Sequence, residues 1–223
     1  MGLFQNGNNS DEKPGAKDGF AFASRVAALP YIDQNKERLL HIGLGFSHRK
    51  PESKIYELRI PFDSYFSTSN TIADAVLINQ VNLFNMEVVY IHRSFSFQSE
   101  YIRGNLRGNS TNFNIENFYT IFSWLLTGEQ KNYSGGYSGF GKIIPGHNFD
   151  LSKNGWGAWE LAVGFSKTRL PENSYRTGKP SDFLLGMNWY LNPYSRIMLN
   201  FSHSEYGEKH RINTFQVRFQ VNF

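Results

Sequence analysis

The C-terminal stretch Phe215-Gln-Val-Arg-Phe-Gln-Val-Asn-Phe223 alternates without a fault: Phe215, Val217, Phe219, Val221 and Phe223 are apolar, and Gln216, Arg218, Gln220 and Asn222 fill the gaps. Successive side chains of a strand point to opposite faces, so this period of two marks a strand with one apolar and one polar surface. The pattern continues upstream. Ile197, Leu199 and Phe201 stand against Arg196, Met198, Asn200 and Ser202, and Phe183, Leu185, Met187, Trp189 and Leu191 stand against Leu184, Gly186, Asn188 and Tyr190. Between the two runs lies Asn192-Pro193-Tyr194-Ser195, which suits a tight turn.

Earlier segments read alike. Trp159, Leu161, Val163 and Phe165 oppose Glu160, Ala162, Gly164 and Ser166; Thr120, Phe122, Trp124 and Leu126 oppose Tyr119, Ile121, Ser123 and Leu125. Phe95, Phe97, Ser99 and Tyr101 oppose Ser96, Gln98 and Glu100, and a short His92-Arg93-Ser94 turn joins them to Met86, Val88 and Tyr90, which oppose Asn85, Glu87 and Val89. Leu40, Ile42, Leu44 and Phe46 oppose His41, Gly43, Gly45 and Ser47, and Phe20, Phe22, Val26 and Ala28 oppose Ala21, Ala23, Arg25 and Ala27. The chain reads as about nine strands of roughly ten residues, a length that crosses a bilayer at a tilt of about 45°. Short connections at 30–37, 92–94 and 192–195 interleave with longer polar ones at 49–79 (itself strand-like over 56–60), 104–110, 167–180 and 207–212. Residues 127–155 break the rule: strand counting puts them at the short-turn end, yet they are many and Gly-rich. Part of that segment is expected to fold against a pore mouth.

Composition sharpens this reading. The 223 residues include 20 Phe, 12 Tyr and 4 Trp, while mean hydropathy is only -0.46. So much ring surface excludes a disordered chain, and the chain reads as one domain over 1–223. With no Cys, a disulfide scaffold and Cys-ligated zinc or iron–sulfur sites are excluded. A net charge of +4 is too small for a nucleic-acid footprint. The longest apolar run, Phe118-Tyr-Thr-Ile-Phe-Ser-Trp-Leu-Leu126, is far short of a membrane helix. The N-terminus lacks the basic and apolar regions of a signal peptide. A soluble antiparallel sandwich would also alternate. Against it stand the aromatics at strand ends (Tyr90, Tyr101, Trp156, Trp159, Trp189, Tyr190), the Gly and small polar residues opposite them, and the final Phe223 in apolar phase. The expected fold is all-β, an antiparallel transmembrane β-barrel.

Eight collinear blocks resemble the phosphate-selective porin O/P family of bacterial outer membranes. They are Ser24-Arg25-Val26 with Leu29-Pro30-Tyr31, Arg38-Leu39-Leu40-His41-Ile42-Gly43, Gln98-Ser-Glu-Tyr-Ile-Arg103, Ser123-Trp-Leu-Leu-Thr-Gly-Glu129, Gly155-Trp-Gly-Ala-Trp-Glu-Leu-Ala162, Gly186-Met-Asn-Trp-Tyr-Leu-Asn-Pro193, Arg196-Ile-Met-Leu-Asn200 and the terminal stretch 215–223. The resemblance implies a Gram-negative outer-membrane channel with no catalysis and no cofactor. It implies anion selectivity, phosphate among the solutes, outer-membrane lipid around the wall, homotrimers, and barrels of about sixteen strands. It falls on the family's C-terminal half, with Gly2-Leu-Phe-Gln-Asn-Gly7 resembling the tail of an earlier strand. The chain is therefore expected to be truncated on its N-terminal side, and the family's constriction loop to lie mostly outside it.

Keeping Phe223 towards lipid and following the alternation puts Arg25, Arg59, Arg196 and Arg218 on the pore side, where a line of guanidiniums would give an anion successive weak sites. The resemblance adds Lys142 as a matching basic position. The opposing reading is that Glu57, Glu87, Glu100 and Glu160, also in lumen phase, pair with the arginines and neutralise the wall. The resembling pattern commonly has Arg where Gly164 stands and Lys where Ile144 stands, which argues against strict phosphate specificity. Gly136-Tyr-Ser-Gly-Phe-Gly-Lys142 is half of a phosphate-binding loop, but Ile143 follows it where Ser or Thr is needed, and no helix context surrounds it. The six histidines (41, 48, 92, 147, 203, 210) show no metal-ligand spacing, and His41 is expected to face the lumen. Two other classes stay open at this point: a barrel receptor or adhesin that binds through its loops, and a barrel hydrolase using a serine near His41 or His203.

Overall fold

A computed structural model describes residues 2–5, 20–35, 37–50, 55–60, 70–108, 112–133, 140–170, 180–206 and 210–222; the expectations for Phe223, for 6–19 and for 136–139 lie outside them. The strands are β1 (Gly2–Gln5), β2 (Phe20–Ile32), β3 (Arg38–Arg49), β4 (Ile55–Ile60), β5 (Asn70–Leu77), β6 (Gln80–His92), β7 (Phe95–Arg107), β8 (Asn112–Leu125), β9 (Ala158–Arg169), β10 (Ser181–Asn192), β11 (Ser195–Tyr206) and β12 (His210–Val221). Among the described residues, ten of them form one sheet in the order β1-β2-β3-β6-β7-β8-β9-β10-β11-β12, with every pairing antiparallel. The nine long strands of this sheet are those whose alternation the sequence displays, and β1 is a short addition. β4 and β5 pair only with each other.

The turns follow from local chemistry. Between β6 and β7 the chain reverses through Arg93, at φ 55, and Ser94. Between β10 and β11 the Asn192 Oδ1 accepts the N–H groups of Tyr194 (2.8 Å) and Ser195 (2.9 Å), an Asx turn. Pro30 cannot donate to a ladder, and the β2–β3 register shifts between Ala28 and Tyr31 to accommodate it as a bulge. Strand β2 therefore runs on past Pro30, and the turn occupies 33–37 instead of starting at residue 30. The long-connection end differs from expectation in the same direction. β7 continues to Arg107 and β12 begins at His210, so the gaps shrink to 108–111 and 207–209. At those strand ends the phase reverses: the outward positions are polar, with Asn105 bonded to Asn114 and Arg211 paired with Glu205 at 3.0 Å, while Leu106 and Phe113 pack inward. A single apolar phase followed along the strand stops where that reversal begins.

The apolar phase faces outward and is not covered by a second layer: Val26 (74% exposed), Phe215 (68%), Val217 (62%) and Phe219 (62%) are the clearest cases. A soluble sandwich would bury them. Rings cluster near both ends of the strands, as at a membrane–water interface. At the short-turn end Phe95 stacks on Trp124 (5.4 Å) and Trp159 on Trp189 (4.9 Å). Towards the other end Phe165 sits opposite Phe183, and Phe201 opposite Phe215. The buried apolar clusters are small by comparison: Leu125, Ile143, Ala158 and Tyr190, and separately Ile78, Val81 and Leu106. No helix among the described residues is long and apolar enough to cross a membrane.

The two faces should respond oppositely to charge. Leu185→Arg, at an exposed outward position in the middle of β10, is expected to destabilise the protein by about 2–4 kcal/mol in urea titrations in lipid vesicles. Asn200→Arg, one strand over and inward, should change stability far less; equal losses would contradict this assignment of faces.

Candidate functional site

The inward face carries Arg25, His41, Glu87, Glu100, Glu160, Asn188, Arg196 and Arg218, each one residue out of step with the exposed apolar positions of its strand. Residues 126–133 and 140–157 turn back onto this face from the short-turn end. The segment is braced locally: Glu129 is bonded to Thr127 and accepts the Gly146 N–H at 3.0 Å, the Gly141 N–H donates to the Asn132 carbonyl (2.6 Å), and the Phe149 N–H donates to the Leu191 carbonyl (2.7 Å). Gly157, at φ 68, lets it rejoin β9 where any Cβ would collide with the Tyr190 carbonyl oxygen.

Two anchors hold the segment across the sheet. The first is Glu160 on β9, whose side chain is only 3% exposed: Lys131 Nζ reaches its Oε1 at 2.7 Å, and its Oε2 accepts from the Tyr190 hydroxyl (2.7 Å) and Asn188 Nδ2 (2.9 Å). The second lies on β3 and β6. The Tyr133 hydroxyl is 2.6 Å from His41 Nδ1, while His41 Nε2 is 3.0 Å from Glu87 Oε1, which is also bonded to Arg25. With the Tyr133 hydroxyl donating to Nδ1 and Nε2–H donating to Glu87, each group in the chain is satisfied. Burial, and after it the Glu87 charge, pushes the Tyr133 phenol above its ordinary value against the pull of Arg25. The phenol thus stays protonated and able to donate. Glu87 has room only because its neighbour is Gly43, where a Cβ would overlap the carboxylate.

Between the segment and the wall is a cavity of ≈ 570 Å³, with Lys131, Lys142, Arg196, Glu160, Asn188 and Asn222 in its lining. Lys142 Nζ lies 4.5 Å from the Tyr194 ring centroid, and the Arg196 guanidinium 5.7 Å from that of Tyr190 while donating to Gln220 Oε1 (2.9 and 3.2 Å). Among the described residues of this lining the one carboxylate, Glu160, is the one Lys131 already matches. A smaller cavity of ≈ 150 Å³ is lined by Arg25, His41, Glu87, Glu100, Tyr119 and Tyr133, among others.

The positions singled out in the sequence thus separate. Arg196 and Lys142 meet at one cavity. Arg25 is paired with Glu87, as the neutralising reading supposes, but Glu160 pairs with Lys131 and Glu100 accepts from Asn85. Arg218 is inward and exposed on β12. Arg59 and Glu57 belong to β4, outside the ten-stranded wall, so the alternation that placed them in the lumen does not apply; their side chains are outside the described residues. Gly164 faces inward against Leu184 and Ile121, and Ile144 is exposed. His41 is bonded to Glu87 and Tyr133, and His203 to Asn213 with Glu205 beside it; among the described residues these partners include no serine hydroxyl. Among the described residues no group of three or more His, Cys, Asp or Glu could hold a metal ion. Lys131 and Tyr133 escaped sequence reasoning, although the length of 127–155 signalled that something there must fold inward.

A family model described as phosphate-selective porin O and P matches residues 2–223. No curated protein matches the chain.

Removing one partner of a buried ion pair costs about 3–5 kcal/mol because the other charge is stranded. The double variant Lys131→Met, Tyr133→Phe is accordingly expected to free the segment. Hydrogen exchange at the Gly141 N–H should accelerate and single-channel conductance should rise; unchanged exchange and conductance would show that the two anchors do not hold it.

Proposed function

The chain belongs to the phosphate-selective porin O and P family, and from that premise we propose that it lines an outer-membrane channel passing small hydrophilic anions, phosphate among them, down their gradient. The family is one of channels, not enzymes. The observation that carries the proposal is the convergence of Lys142 and Arg196 on the ≈ 570 Å³ cavity whose carboxylate, Glu160, is already engaged by Lys131, Tyr190 and Asn188. Among the described residues the lining is left with a net positive charge, where residues 131 and 140–143 face the wall. An anion entering it exchanges part of its water for an ammonium, a guanidinium and the amides of Asn188 and Asn222. Both cations rest on rings or a neutral amide, a weak hold that an anion can share and then leave, as conduction requires.

Arg218 on β12 continues the cationic line, and Arg25, matched by Glu87, contributes shape and no net field. With Gly164 set between Leu184 and Ile121, the wall offers no guanidinium at that rung. We therefore read the channel as selecting small anions by charge, not phosphate by a tailored cage. The working form proposed is a homotrimer.

Reversal potentials in a KCl gradient across planar bilayers test the reading. The wild type should prefer anions, and Lys142→Gln or Arg196→Gln should each lower the anion-to-cation permeability ratio about fivefold, the equivalent of one unit charge acting over ~4 Å in water. The charge-neutral pair of changes Arg25→Gln, Glu87→Gln should leave the ratio near its wild-type value. Cation preference in the wild type would overturn the proposal.

A further inference from the structure

Charge is distributed unevenly on the outward face of the wall. On β7, β8 and β9 the outward positions at the short-turn end are Phe95, Phe97, Phe122, Trp124, Trp159 and Leu161, with no charge among them. At the long-connection end of the same strands the outward positions become Arg103 and Arg107 on β7, Glu116 on β8, and Lys167 and Arg169 on β9. The register sets these in rungs. Tyr101, Phe118 and Lys167 form one; Arg103, Glu116 and Arg169 form the next; Asn105 and Asn114, then Arg107 and Asn112, lie beyond. Successive outward rungs are about 7 Å apart along a strand, so the cations begin level with the last aromatic rung and extend beyond it.

Four cations face one carboxylate, and that carboxylate is taken: Glu116 is 3.1 Å from Arg169 Nη1 and hydrogen-bonded by Tyr101. Arg103, Lys167 and Arg169 are all exposed. The contrast with β11 and β12 is direct, since Arg211 there is matched by Glu205 at 3.0 Å. Cations in this place do not serve the pore, because the wall separates them from it. Nor are they random surface polarity, because the outward positions from Phe95 to Tyr101, from Phe118 to Trp124 and from Trp159 to Phe165 carry no charge. They sit where lipid headgroups meet a barrel. In outer-membrane barrels the long connections face outside the cell, so the headgroups concerned belong to the outer leaflet.

We propose that Arg103, Lys167 and Arg169, with Arg107 above them, form a docking surface for a phosphate-bearing headgroup of an outer-leaflet lipid. Guanidiniums match phosphate oxygens bidentately and Lys167 adds a point charge. Tyr101 and Phe118 flank the acyl chains at the same depth, and Glu116, paired with Arg169, offsets part of the positive charge.

Native mass spectrometry of the purified full chain in neutral detergent, titrated with diphosphoryl lipid A, tests this. Each cation removed should weaken binding about fivefold, and Arg103→Gln, Lys167→Gln, Arg169→Gln together roughly a hundredfold, with conductance in neutral-lipid bilayers unchanged. Lipid A stripped of its phosphates should bind no better than the triple variant binds the phosphorylated form, and millimolar inorganic phosphate should not displace the lipid. If the triple variant fails to fold, Glu116→Gln supplies the opposite test, since removing the carboxylate should tighten binding about fivefold. Wild-type affinity in the triple variant, equal binding of dephosphorylated lipid, displacement by free phosphate, or no gain in Glu116→Gln would each overturn the proposal.

Discussion

Inside a bilayer no water is present to satisfy the backbone, so every N–H and C=O must find a partner within the chain, at several kcal/mol for each failure. The uninterrupted antiparallel ladder from β1 to β12 answers that constraint, and the other features of the wall depend on it. Once the ladder runs edge to edge, the side chains have only two places to go. One set meets hydrocarbon and the other meets the lumen, which is why apolar and polar residues keep step across nine long strands. The ladder also explains where Pro30 is tolerated, at a bulge near the end of β2. The two outermost strands, β1 and β12, present unpaired edges among the described residues, and in lipid such edges require a backbone partner.

With most apolar side chains committed to the outside, the interior, apart from two small apolar clusters, is held together by polar contacts. Glu160, His41, Ser96 and Ser123 are among the buried polar residues, and Ser96 and Ser123 bond to each other at 2.9 Å. These groups are costly to bury alone and become assets when a partner arrives. Lys131 and Tyr133 are those partners for Glu160 and His41. In the sheet order, β3 and β9 are separated by β6, β7 and β8. Two contacts contributed by neighbouring residues therefore tie distant parts of the wall through one segment. The same segment forms one side of the cationic cavity, to which it contributes Lys131 and Lys142.

The wall was legible because its cause is local: period two in Phe215–Phe223 or in Trp159–Phe165 follows directly from which side of the ladder is apolar. The strand ends were less legible, because above the aromatic rung the phase reverses: Asn105, Asn114 and Arg211 are outward and polar, while Leu106, Phe113 and Ile115 turn inward. Arg59 shows the complementary failure, since alternation in β4 looks the same whether that strand joins the wall or pairs apart with β5. The site was legible only in part. Arg196 could be assigned to the lumen from its phase, but whether a cation is spent on a neighbouring carboxylate depends on register, and Arg25 meets Glu87 across an intervening strand. Tyr133 reaches His41 over 92 positions of sequence, a contact that no local pattern encodes.

The low mean hydropathy of -0.46 beside so many rings is the signature of this inversion, in which apolar surface is spread thinly over the outside instead of gathered in a core. The chain contains no cysteine, so single cysteines can be introduced one at a time and read without background. The most direct measurement is modification of such variants by a membrane-impermeant, charged thiol reagent during single-channel recording. The account predicts that Asn188→Cys and Asn200→Cys react rapidly and change the current, while Leu185→Cys and Leu199→Cys, on the same two strands, remain unreactive. Equal reactivity at all four positions, or reaction without any change in current, would contradict a wall with lipid on one side and the conducting path on the other.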